Sequence, residues 1–232
     1  MVNAGPASQA DRMLDHASIA PRPERRTASW RDGWTLTLVA AAAIASLALA
    51  IILAGAASAE AIAAAIRFTA RTSFALFLTA FTASAAHRLW PGHFTRWQRR
   101  NRRYLGVAFA ASHAVHAAAI ATLAVLQPAA FHARAADMAR APGLIAYGFI
   151  VAMTATSFDR TAAWLGRRAW KALHFTGSIY LWAAFVLGFG KRVPQAPGYW
   201  LPIAFAAAAM ALRVVAWYRG RTRVSRAAAR GA

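Results

Sequence analysis

Residues 104–126 read YLGVAFAASHAVHAAAIATLAVL, 23 positions without one Asp, Glu, Lys or Arg. A bilayer core of about 30 Å needs roughly 20 apolar residues in a helix, so this stretch predicts a membrane-spanning helix. It also carries two imidazoles, His113 and His116, three positions apart and therefore on one helix face. An ionisable side chain in hydrocarbon is costly, and such groups face the bundle interior and mark a site.

Working outward, a second stretch of this kind, WKALHFTGSIYLWAAFVLGFG at 170–190, carries His174. Further apolar runs bring the predicted spans to six: about 34–58, 67–86, 104–126, 143–158, 170–190 and 199–218. Positive charge sorts cleanly between their connections. Arg12, Arg22, Arg25, Arg26 and Arg31 precede the first span. Arg88, Arg96, Arg99, Arg100, Arg102 and Arg103 lie between the second and third, and Arg160, Arg167, Arg168 and Lys171 between the fourth and fifth. Arg213, Arg219, Arg221, Arg223, Arg226 and Arg230 close the chain. Of the 27 Lys and Arg, 21 thus fall on one side, against Arg67, Arg71, Arg134, Arg140, Lys191 and Arg192 on the other. The positive-inside rule then predicts an all-α membrane protein, a six-transmembrane-helix bundle with both termini cytoplasmic.

Composition agrees with a polytopic membrane protein. The chain of 232 residues is 59% hydrophobic, its mean hydropathy is +0.38, and alanine dominates the apolar runs, which favours close helix packing. With no cysteine, disulfides, iron–sulfur clusters and thiolate chemistry are excluded. The net charge of +20 reads as topology and contact with anionic lipid, not nucleic-acid binding, because no soluble basic domain is present. No Gly-rich dinucleotide fingerprint or P-loop occurs. Residues 1–30 read as a disordered cytoplasmic tail, 31–220 as the membrane domain and 221–232 as a basic cytoplasmic tail. The first span is too long for a signal-peptide core and reads as a retained helix.

Neutral imidazole is the usual protein ligand of haem iron, and the small residues around His116 (AASHAVHAAA) leave room for a macrocycle. The alternative use of each histidine is a hydrogen bond to Ser or Thr on a neighbouring helix. Arg67 and Arg71, four apart at the outer end of the second span, offer partners for haem propionates; the alternative is snorkelling to headgroups. Asp159 reads as a helix cap or ion pair. His87, at the cytoplasmic end of the second span and close in depth to His174, is a further ligand candidate whose alternative is an interfacial histidine beside Arg88 and Trp90; His16, His93 and His132 read as solvated.

Two segments carry a family resemblance. RRNRRYLGVAFAASHAVH places Leu105–Gly106 ten residues before His116, and TATSFDRTAAWLGRRAWKALHFTGSIY places Leu165–Gly166 before Trp170-x-x-Leu173-His174 and Tyr180. Over roughly 67–218 the chain resembles the ferric-reductase-like transmembrane domain, in its bacterial haem-binding membrane-subunit form. The resemblance implies a six-helix b-type cytochrome that carries electrons across the membrane. Its haem b would be bound by histidines of the third and fifth helices, here His116 and His174. Flavin would reside only on a separate cytoplasmic reductase, and the acceptor would be a periplasmic or membrane redox partner.

The chain departs from that pattern at Leu187, thirteen residues after His174, where family members often carry a second histidine. At most one bis-histidine haem is then implied. At 1.5 Å per residue, His174 lies about 5 Å past Lys171, while His113 and His116 lie about 15 and 20 Å past Arg103. Axial ligands must meet at one depth, which favours His113 over His116 as the partner of His174. Two other classes compete: a non-enzymatic scaffold or partner-binding subunit that has lost haem, and a transporter, which the lack of broken helices and mid-membrane acid pairs disfavours.

Overall fold

The computed structural model describes residues 31–135 and 140–230. The tail expected over 1–30, with His16 and Trp30, lies outside the described residues. Every regular element among the described residues is helical. They run α1 (Gly33–Ala54), α2 (Ala59–Leu89), α3 (His93–Arg100), α4 (Arg102–Leu126), α5 (Pro128–Ala135), α6 (Arg140–Ala155), α7 (Asp159–Leu165), α8 (Arg167–Gly190), a 3-10 turn at Pro197–Tyr199, and α9 (Trp200–Arg230).

Among the described residues five helices, α1, α2, α4, α8 and α9, are long and apolar enough to cross a membrane. The run expected at 143–158 is shorter. Its apolar helix is Pro142–Ala155, about 21 Å at 1.5 Å per residue. The hydroxyls of Thr156 and Ser157 turn back onto Ala152 O (2.8 Å) and Met153 O (2.7 Å), local bonds that compete with helix continuation. Conversely, α2 starts at Ala59 and not near 67, because AEAIAAAI is rich in strong helix formers and the Ser58 hydroxyl accepts from Ala61 N (3.3 Å). The preceding turn doubles back tightly: a Cβ on Gly55 would stand 2.3 Å from the Ala61 Cβ.

Named contacts fix the direction of each helix. Buried Asn101 accepts from Gly33 N (2.9 Å) and donates to the Asp32 carboxylate (2.8 Å), and the Thr37 hydroxyl donates to Tyr104 O (3.0 Å). The starts of α1 and α4 therefore lie together. The Arg213 guanidinium donates to Phe81 O (2.8 Å) and Arg88 to Ala216 O (3.1 Å), so α9 runs parallel to α2. Tyr180 Oη donates to Pro142 O (2.9 Å) while His174 faces Thr156 (3.2 Å), so α6 and α8 are antiparallel. Gly177 permits their approach, since a Cβ there would stand 2.5 Å from Met153 Sδ.

The core lies along α2, where Phe77 and Phe81 pack with Phe109, Ile150 and Leu181, and Phe74 packs with Phe189 and Ala206. Lipid is as apolar as these side chains, so van der Waals fit, not expulsion from water, holds such helices together. The buried alanines Ala63, Ala65, Ala83, Ala108 and Ala119 supply that fit by bringing backbones close.

Candidate functional site

The three histidines singled out from the sequence fall into two neighbourhoods. On α4, the His113 and His116 rings lie 5.1 Å apart between centroids. His116 Nδ1 is 3.2 Å from Ile66 O and 3.0 Å from Thr69 Oγ1. The Thr69 hydroxyl donates to Ala65 O (2.8 Å), so the imidazole N–H is the donor toward α2. One turn away, Ser112 Oγ bonds Ser73 Oγ (2.8 Å). This polar seam joins α2 to α4. His113 sits among Phe109, Tyr147 and Phe185 at centroid distances of 5.5, 5.1 and 6.1 Å. Its Nδ1 and the Tyr147 hydroxyl are enclosed without a hydrogen-bond partner among the described residues.

On α8, His174 stacks on Trp170 (centroids 4.2 Å, planes 27° apart). Its Nε2 is 3.2 Å from Thr156 Oγ1, and Trp170 Nε1 donates to Thr156 O (2.9 Å). Because the Thr156 hydroxyl donates to Ala152 O (2.8 Å), the imidazole N–H of His174 is the donor to Thr156, and the hydroxyl keeps its own acceptor when that contact is released.

The two neighbourhoods differ in depth. Eleven residues of α8 separate His174 from Phe185, which packs on His113, a rise of about 16 Å. Imidazole nitrogens bind metals at about 2.0–2.1 Å, so two axial nitrogens flanking an iron lie roughly 4 Å apart. A haem clamped between His174 and either His113 or His116 does not fit these positions. His87, on the same side of the bundle as His174, has its Nδ1 3.4 Å from Thr95 Oγ1 near the end of α2 and does not line the cavity that His174 borders, and His93 and His132 are exposed on α3 and α5. No group of three His, Cys, Asp or Glu gathers to hold a metal among the described residues.

One of the three imidazoles borders open volume. His174 borders a cavity of about 390 Å³. Its walls are apolar, from Phe77, Phe81, Phe109 and Leu181, with Trp170 and Thr156 beside the imidazole. Its rim carries Arg99, Arg102, Arg103 and Asp159. Gly106 also lines it, and a Cβ there would meet nothing within 4 Å, so a side chain at that position would occupy cavity space. Arg103 pairs with Asp159 at 2.6 Å, the ion-pair role expected of Asp159. Arg67 and Arg71 are exposed on α2 and neither lines the cavity; the wall of α2 begins at Phe77.

In the sequence the rim arginines stand out only as topology charges and Gly106 only as part of a motif. The usable signal is their spacing, with the adjacent Arg102 and Arg103 one turn before Gly106 at the start of a span that later carries histidine. No family model, no curated protein and no solved structure matches this chain. The ferric-reductase-like resemblance rests on the quoted motifs.

Proposed function

We propose that this chain crosses the bacterial inner membrane six times with both termini cytoplasmic. We further propose that it is an electron-carrying subunit of the ferric-reductase-like kind, with haem b held on His174 in the arginine-rimmed cavity. The antiparallel course of α6 along α8 supports a sixth crossing, because the bilayer can thin to meet a short span. The absence of cysteine makes the topology directly testable. With six crossings, a Gln195→Cys variant reacts with a membrane-impermeant maleimide in intact spheroplasts and Thr222→Cys does not. Were α6 not to cross, the two would exchange behaviour.

The cavity is the observation that carries the cofactor reading. It collects what a flat apolar macrocycle bearing two carboxylates requires: one imidazole, aromatic and aliphatic walls, and cations at the rim. Haem, when bound, supplies one-electron chemistry whose potential follows its axial ligand and the dryness of its site. The chain's own groups have separate tasks. His174 would hold the iron through Nε2, and Trp170 fixes the plane of that imidazole by stacking. Phe77, Phe109 and Leu181 exclude water, and Arg102 and Arg103 face the carboxylates, since a guanidinium fork matches carboxylate geometry. Electrons would enter from a separate cytoplasmic flavin reductase and leave to a periplasmic or membrane acceptor.

An absorbance spectrum of protein purified from haem-replete cells tests this, taken before and after dithionite. The expected result is a Soret band that shifts on reduction, and loss of most haem in Gly106→Leu. A colourless wild-type protein favours the second reading, a partner-binding scaffold that has lost haem. One observation supports that reading: both His116 and His174 already make the interhelical Thr bonds of structural histidines.

A further inference from the structure

The rim of the cavity carries more positive charge than its own acid balances. Arg99, Arg102 and Arg103 line it, and Asp159 is the one carboxylate there among the described residues. Behind the wall, Arg213 lies over the Phe81 ring at 4.1 Å and donates to Phe81 O, adding a fourth cation on the same side. The single neutralising contact is replaceable. Arg103 and Asp159 are 35% and 91% exposed, and exposed pairs of this kind contribute about 0–1 kcal/mol. Below the rim Phe77, Phe109 and Leu181 give the volume a largely apolar lining, interrupted by Thr156, Ser178 and His174. Cations above and a mainly apolar volume below describe a receptor for an anion with an apolar body. Basic pockets between transmembrane helices bind anionic headgroups on this principle, and arginine forks suit phosphate and carboxylate oxygens.

We propose that the cavity binds an anionic amphiphile. Its phosphate or carboxylate lies on Arg99, Arg102 and Arg103 in place of Asp159, and its apolar part lies against Phe77, Phe109 and Leu181. The inference stands whether or not haem is the natural occupant, because a haem propionate and the phosphate of an anionic phospholipid present the same chemistry to the rim.

The experiment is calorimetric titration of the full chain in detergent, after delipidation, with absorbance recorded on the same sample. The probes are dioctanoyl phosphatidylglycerol, the matching phosphatidylcholine, and inorganic phosphate. Phosphatidylglycerol is expected to saturate one site at least about tenfold more tightly than phosphatidylcholine, as charge-assisted hydrogen bonds imply. Inorganic phosphate, lacking the apolar body, binds more weakly still.

Arg102→Gln with Arg103→Gln weakens phosphatidylglycerol by about tenfold or more. Asp159→Asn tightens it several-fold by removing the competing anion, a gain that misfolding cannot mimic. Arg67→Gln with Arg71→Gln leaves it unchanged. A Soret band in the starting protein, with lipid binding only after haem is stripped, assigns the propionates as the native anion. Binding without any Soret band assigns the lipid, and sinks the haem reading while leaving the site intact. Equal affinity for the two lipids overturns the proposal. So does a loss in the Arg67 and Arg71 variant as large as that at Arg102 and Arg103.

Discussion

The imidazoles of α4 and α8 occupy opposite kinds of surroundings. His116 is committed: its N–H reaches the Ile66 carbonyl and Thr69 hydroxyl across a filled α2–α4 interface. His174 makes one replaceable hydroxyl contact and faces about 390 Å³ of open volume beside three guanidiniums. Composition makes the two look alike, since each is a histidine in an apolar 20-mer. What separates them is the space in front of the His174 ring, which gives a ligand room. Buried polar groups that satisfy one another act as interhelical glue; those that border a cavity are available for binding.

This contrast can be broken in order of expected effect. Gly177→Val should be the most damaging substitution. Its added bulk stands 2.5 Å from Met153 Sδ and 3.1 Å from Phe149, and overpacking of this kind costs about 1–3 kcal/mol. Thermal melting should fall, and haem content with it, because the α6–α8 contact that holds Thr156 against His174 is forced apart. An unchanged melting temperature would show that Met153 and Phe149 swing aside and that Gly177 is not required for the α6–α8 contact. His116→Ala should cost roughly 0.5–1.5 kcal/mol, the range for an interhelical hydrogen bond in a bilayer, with no change in any haem spectrum. Asp159→Asn should move the melting temperature least, within about 0.5 kcal/mol, because its ion pair is exposed; a large loss would mean that Asp159 anchors α7.

Much of the helical plan was legible from hydropathy alone. The histidine-bearing helices α4 and α8 emerged near their expected bounds because long apolar runs, with charge confined to their starts, leave no other option in a bilayer. The end of α6 was less legible, since Thr156 and Ser157 terminate it through side-chain bonds that hydropathy does not weigh. The early start of α2 was hidden by Glu60 and Arg67, which lower hydropathy without lowering helix propensity. The tie from Asn101 to Gly33 and Asp32 joins residues nearly seventy positions apart, and no local pattern announces it. The same holds for the cavity. Gly106 comes from α4, Thr156 from the turn after α6, and Trp170 and His174 from α8, and the void among them depends on packing. The offset between His113 and His174 could be anticipated from rise per residue, and the contacts of Phe185 now place it near 16 Å.

Haem stoichiometry across three proteins, read as the pyridine haemochrome, tests the central claim most directly: that the cavity imidazole binds and the packed pair does not. Wild type and the His113→Ala, His116→Ala double variant should each carry close to one haem per chain, while His174→Ala carries almost none. Retention of haem by His174→Ala, with loss from the double variant, would contradict the account.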